Sequence, residues 1–293
     1  PMDAALLAAA MLLAPPARAA QPRPGDNAAS VKAQPHEPFP SSSHLFGETE
    51  DPLDTLVIAG EDLRDALASA PGISALQMGL RAPREEDRLR AVRAAARPRE
   101  ISAVPYLAAT LLRLDEPPRI RAAAALALGR IGDRVSVPAL AEGLKDPMPE
   151  VRYAAALSLG RLPADGVATR LERVLRVDPA WQVRYAAVIA LARTRKGFAA
   201  TALADALAGD ASWQVRQQAA RSLQDLSSAR VAAALVGALL DPEPSVRAAA
   251  GSALSETDVP SLQNALADAL ADEKDPSVRA VLRAAVRRAP RRP

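Results

Sequence analysis

The chain has 293 residues, 49% hydrophobic and 3% aromatic, with no cysteine and only two histidines, His36 and His44. Without thiols there is no disulfide framework, thiolate nucleophile or cysteine-ligated metal, and any histidine-dependent triad would have to be built on one short stretch. Charges nearly cancel, with 37 Lys+Arg against 34 Asp+Glu, so net charge alone does not mark a nucleic-acid binder; the 68 alanines favour helix.

In chain order, residues 4–14 form an apolar run too short to span a bilayer. Small residues follow, with Ala17-x-Ala19 as a cleavage site, and residues 1–20 read as a signal peptide of an exported, periplasmic or secreted protein. Asp3 and the absence of Lys or Arg ahead of the run argue against that; the competing reading is a short amphipathic or disordered N-terminus in a cytoplasmic protein. Residues 21–50 are rich in Pro, Ser, Asn and Gln and read as a disordered linker, with both histidines as solvated linker residues. Residues 51–72 carry helical patterning, with Asp51 or Asp54 as a cap and Pro71-Gly72 as a stop, and read as a capping helix.

From residue 73 to 289 the chain repeats itself. Leu89-Arg90, Ile120-Arg121, Val151-Arg152, Val183-Arg184, Val215-Arg216, Val246-Arg247 and Val278-Arg279 recur every 31 or 32 residues. Leu76, Leu107, Leu140, Leu171, Leu203, Leu235 and Leu266 run in phase with them. Each copy holds a short and a longer amphipathic helix separated by a turn with Asp and often Pro, as in Asp146-Pro147. A helix pair this small buries its apolar face only by stacking on its neighbours, so the fold expected is an all-α solenoid of about seven pairs. Paired alanines such as Ala154-Ala155 and Ala186-Ala187 fall where adjacent helices must approach closely.

Asp146…Val151-Arg152-Tyr153-Ala154-Ala155…Leu159-Gly160 and Asp115…Ile120-Arg121-Ala122-Ala123-Ala124…Leu128-Gly129 resemble HEAT repeats, in the short bacterial form also found in phycobilisome chromophore lyases. The first copy departs from the pattern with Arg84 at the turn-Asp position, and the last with Asp275 only four residues before Arg279. The resemblance implies a right-handed α-solenoid whose second helices line a concave surface. It also implies an Asp–Arg ladder from Asp115/Arg121, Asp146/Arg152, Asp178/Arg184, Asp210/Arg216 and Asp241/Arg247, each Asp capping a helix start and each Arg bridging turn carboxylates of its own or the next copy. The same spacing is open to a phosphate-binding or acid–base row.

Two aromatic columns stand out in so ring-poor a chain: Trp181 with Trp213, and Tyr153 with Tyr185, each 32 apart. Trp, Tyr and Arg dominate binding hot spots, against which stands local packing. Arg130, Arg161 and Arg193 form a basic column near the C-ends of second helices, followed at the same place by Asp225 and Glu256. No phosphate loop, helical His pair or nucleophile elbow occurs, so the reading is a non-catalytic scaffold for another protein, with no cofactor and no metal. Contact is expected at Tyr153, Trp181, Tyr185, Trp213, Arg130, Arg161 and Arg193. The alternatives are a nucleic-acid module using the Arg-rich ends, including the basic tail at 290–293, and a chromophore-lyase-like enzyme.

Overall fold

The computed structural model describes residues 73–194, 196–224, 228–255 and 260–288. The expected signal peptide, linker and capping helix, the tail, and Asp225 and Glu256 all lie outside the described residues. Fourteen α-helices and no strands occur among the described residues. They follow one another in pairs: α1 (Ile73–Leu80) with α2 (Glu85–Ala95), α3 (Val104–Leu112) with α4 (Pro118–Ile131), α5 (Val137–Gly143) with α6 (Pro149–Leu159), and α7 (Val167–Val177) with α8 (Trp181–Arg193). Then come α9 (Lys196–Gly209) with α10 (Trp213–Ser222), α11 (Ala229–Ala238) with α12 (Pro244–Leu254), and α13 (Pro260–Asp272) with α14 (Pro276–Arg288).

Each second helix packs on the second helix of the next pair, from α2 through α14, while first helices form the other layer. This is the all-α solenoid that the period demanded. The first-helix leucines Leu107, Leu140, Leu171, Leu203 and Leu266 are fully buried between the layers. Starts and stops follow local chemistry. Proline occupies the first turn of α4, α6 and α12, where its missing N–H costs nothing. Gly132 closes α4 at φ 78, a conformation that disfavours a side chain, with its amide donating to the Leu128 carbonyl.

The seams between second helices depend on small residues. Ala124, Ala155, Ala187, Ala220 and Ala250 have no exposure. A Cβ placed on Gly160 would stand 2.5 Å from the Ala190 Cα, and one on Gly129 would stand 2.5 Å from the Ser158 Cβ. Backbone cannot retreat as a flexible side chain can, so bulk at Gly160 would force α6 and α8 apart. The alanine-rich composition is thus a packing requirement as well as a helix preference.

Candidate functional site

The second-helix layer has two edges, one at the helix starts and one at the helix ends. At the starts runs a ladder of arginines. Arg152 donates from Nε and Nη2 to both oxygens of Asp178 in the next pair, at 2.8 and 3.0 Å. Its Nη1 reaches back to the Asp146 carbonyl oxygen of its own turn at 2.9 Å. Arg184 does the same with Asp210 and the Asp178 carbonyl, and Arg216 with Asp241 and the Asp210 carbonyl. Arg121 grips Asp146 with both groups 3–4% exposed, and Arg247 grips Glu273. Each arginine therefore ties its own turn to the next one through a forked, charge-assisted contact. The hydrogen-bonded carboxylates hold Arg184, Arg216 and Arg247 above the ordinary guanidinium pKa.

Three details differ from the sequence expectation. The aspartates do not cap helix starts: the residues at the N-cap are Met148, Ala180, Ser212 and Glu243, and none caps with its side chain. Instead each Asp sits two residues earlier and accepts the backbone N–H of that N-cap residue, as Asp146 Oδ1 does from Met148 at 2.8 Å. The intervening residue, Pro147 or Pro179, suits such a side-chain-closed turn. Second, Asp115 is not a rung. Its side chain is 80% exposed against Arg113, and the buried turn carboxylate is Glu116, which takes Arg88 Nε at 2.6 Å and also pairs with Arg113. Glutamate's extra methylene makes up for a position one residue nearer the helix. Third, the register of the end copies shifts. Arg88, not Arg90, is the first rung, since it alone reaches back six residues to the Ala82 carbonyl; Ala82, not Arg84, holds the turn position. In the last copy Glu273 takes that place, its carbonyl accepting from Arg279 Nε at 3.1 Å.

Glu273 accepts from Arg247 and from the amides of Lys274 and Asp275, and the Arg247 contact leads in drawing its pKa down from 4.5 to about 2. With their guanidinium forks turned onto carboxylates and carbonyls, these arginines cannot offer a phosphate-binding row without dismantling the spine. Among the described residues there is no cluster of acidic or histidine side chains arranged to hold a metal, and no helix is long and apolar enough to cross a membrane.

The aromatic residues lie beside this edge at different depths. Tyr153 is 9% exposed and counts as core, which removes it from a contact surface; α6 is covered by α4 and α8 on either side. Trp181 and Tyr185, one turn apart on α8, meet edge to face with ring centroids 6.4 Å apart. Both are half-buried, and Tyr185 Oη donates to Gln218 Oε1 on α10 at 3.3 Å. Trp213 is 39% exposed. Trp181 and Tyr185 therefore form a partly open ring pair, and Trp213 opens the neighbouring helix α10, on which Gln214, Gln217 and Gln218 are all half-buried.

The arginine column lies at the opposite edge. Arg130 and Arg193 are exposed in the last turns of α4 and α8, and Arg161 is half-buried just beyond α6. On α8, Trp181 and Arg193 stand twelve positions apart, about 18 Å along the axis. The aromatic residues and the arginines thus lie in two separate zones and not at one spot. Three arginines of this zone escaped the sequence reading. Arg97 holds the row position after α2, and Arg93 and Arg221 lie one turn earlier on α2 and α10. The signal that could have found them is spacing from the rung arginine: nine residues on for Arg97, Arg130, Arg161 and Arg193, and five on for Arg93 and Arg221. Partial burial, followed by the neighbouring Arg119 cation, lowers the Arg93 pKa.

The comparisons with known proteins agree with this geometry. The model of the family described as HEAT repeats matches residues 73–147, 104–192 and 200–287. No curated protein matches. Among solved structures, the chain is similar to human deoxyhypusine hydroxylase in complex with glycerol (23% identity, covering 84% of this chain and 94% of that one, TM-score 0.37). It is also similar to the CpcE–CpcF complex of phycocyanin lyase from Nostoc sp. PCC7120 (24%, 74% and 87%, TM-score 0.45) and to YibA of E. coli (16%, 79% and 98%, TM-score 0.46). These likenesses carry no functional argument for this chain. The family match takes in more than half of the sequence and coincides with the seven helix pairs, so the chain belongs to the HEAT-repeat family.

Proposed function

We propose that this protein is a non-catalytic scaffold that holds another protein on the exposed, concave face of its second-helix layer. The observation that supports this most is the Trp181–Tyr185 ring pair, with Tyr185 bonded to Gln218 and Trp213 exposed on the adjacent helix, in a chain with very few rings. Large, stiff rings beside amide side chains bury apolar area while meeting a partner's polar groups, the composition of a protein-binding hot spot. The ladder beneath supplies a rigid base for it. The apolar run at residues 4–14 and Ala17-x-Ala19 support a further proposal, that the scaffold works outside the cytoplasm; cell fractionation tests it, and a wholly cytoplasmic protein contradicts it.

The docking face is tested by photo-crosslinking in the producing cells. A crosslinking side chain at Gln217 or Ser252, on the second helices, is expected to trap one and the same partner. At Thr169 or Thr201, exposed on first helices, it is expected to trap none. Combining the Gln217 probe with Trp181→Ala and Trp213→Ala should reduce the adduct about tenfold or more. Adducts from the first-helix positions alone would reverse the assignment.

A further inference from the structure

Between the first helices α11 and α13 the chain leaves a groove of about 460 Å³. Its walls come from two helical stripes. Val236, Leu239 and Leu240 line it from α11, at the spacing of one helix face. Ala265, Asp268, Ala269 and Asp272 line it from α13 at the same kind of spacing. The two alanines contribute only methyl groups, so the gap between the helices stays open. The Arg247–Glu273 rung of the ladder borders it at the turn. Leu240, on the rim, is 82% exposed. Asp241 and Glu273 also border the groove, but the forks of Arg216 and Arg247 already neutralise them. Asp268 and Asp272 are exposed, and neither side chain has a hydrogen bond or ion pair among the described residues. Against these two carboxylates stands Lys274 at the turn, so the groove joins an apolar wall to an excess of negative charge.

A groove at the same register lies two pairs earlier, between α7 and α9. There Ala202, Asp205 and Ala206 hold the places that Ala265, Asp268 and Ala269 hold on α13, each 63 residues earlier. Asp205 accepts from Arg230 Nε of the following pair at 3.0 Å, and from Arg230 Nη2 as well. A carboxylate at this register thus already takes a guanidinium in one copy, while its counterpart on α13 has none among the described residues. The opposite wall differs between the two grooves: Glu172 and Arg176 stand where Val236 and Leu240 stand on α11. Charge lines both sides of the first groove, whereas the second has an apolar side and an acidic one.

We propose that the groove between α11 and α13 binds an arginine side chain of a partner protein, with a flanking aliphatic residue packed on Leu240. Asp268 and Asp272 stand one turn apart, about 6 Å along the axis, and a forked guanidinium can serve both carboxylates. The methylenes of the arginine and its apolar neighbour cover Val236 and Leu240. Arginine suits the place better than lysine, because its planar head is more weakly hydrated and meets carboxylates with two donors at once. The groove belongs to the first helices, apart from the second-helix docking face and from Thr169 and Thr201 on α7 and α9. The inference therefore goes beyond the scaffold reading and stands or falls without it.

The test uses the full chain and labelled nine-residue peptides, with binding read by fluorescence anisotropy at low salt. The probe is Ser-Gly-Ser-Leu-Arg-Leu-Ser-Gly-Ser. One control replaces its arginine with citrulline, which keeps the shape and removes the charge; another replaces both leucines with serine. The probe is expected to bind about tenfold tighter than either control. Asp268→Asn/Asp272→Asn, at two exposed positions, should abolish the preference for arginine over citrulline. Its thermal midpoint should match the parent, which separates lost contact from lost fold. Ala265→Leu, which fills the groove, should weaken the probe about tenfold while leaving both carboxylates in place. Equal affinity for the arginine and citrulline peptides, or a preference that survives in the Asn variant, would overturn the assignment. So would absence of binding by the probe. Displacement of the probe by spermidine at the probe's own concentration would give the groove to small polycations and overturn the protein partner. If crosslinking at Gln217 and Ser252 fails while the probe binds as expected, only the concave docking face falls.

Discussion

Helix α8 carries two arginines nine residues apart with opposite fates. Arg184, near its start, donates to both oxygens of Asp210 and to the Asp178 carbonyl, and its side chain is 14% exposed. Arg193, in its last turn, is exposed. The same contrast recurs between Arg121 and Arg130 on α4. Arginine here is a structural bolt at one edge of the layer and a surface group at the other. What decides between them is the turn carboxylate of the next pair, which is present at the helix-start edge. A forked guanidinium becomes a buried structural member where the carboxylate of the next turn is held in line with it.

The sharpest way to break the contrast is to remove an acceptor at the ladder edge. Asp146→Ala leaves Arg121 buried without its counter-charge and is expected to cost about 3–5 kcal/mol, read by thermal or urea unfolding. A loss below about 1 kcal/mol would mean that the ladder is decorative. The seams come next. Gly160→Ala presses on the Ala190 backbone and should cost about 1–3 kcal/mol. Gly237→Ala, at an exposed position of α11 with nothing within 4 Å of the added Cβ, should instead stabilise by about 0.4–1 kcal/mol. Finding the same sign for both would show that helix approach does not limit bulk.

Acid supplies a gentler probe of a single rung. The Glu273 pKa falls from 4.5 to about 2 on folding, so the folded state favours the ionised form. The stability that this adds is full above pH 4.5 and is lost as pH falls towards 2. Glu273→Gln should flatten that part of the stability–pH curve, and an unchanged acid limb would contradict it. The smallest effect expected is at a hydroxyl: Ser158 Oγ is buried with no partner among the described residues. Ser158→Ala is expected to be neutral or to stabilise by up to about 1 kcal/mol.

Much of this was legible in the sequence. Two in-phase series and the paired alanines point to the helix pairs, the stacking and the seams, because periodicity reports which face of a helix is buried. The end copies were misread, because a Leu-Arg dipeptide at 89–90 resembles the repeat more than the true rung, Arg88. Geometry selects Arg88 by its reach to the Ala82 carbonyl, which a dipeptide search does not see. Glu116 was passed over for Asp115 for a related reason: the longer acid at a one-residue offset reaches the same place. Tyr153 shows the other limit. Its spacing from Tyr185 fixes a shared register but not depth, and depth is set by how closely α4 and α8 close over α6.

The central claim, that position along the helix turns one residue type into two different devices, is tested most directly on α8. Arg184→Ala and Arg193→Ala are compared by thermal unfolding. Arg184→Ala strands the buried Asp210 carboxylate and is predicted to lower the midpoint by about 6 °C or more, while Arg193→Ala should leave it within about 1 °C of the parent. Equal shifts, or a larger loss from Arg193→Ala, would contradict the account.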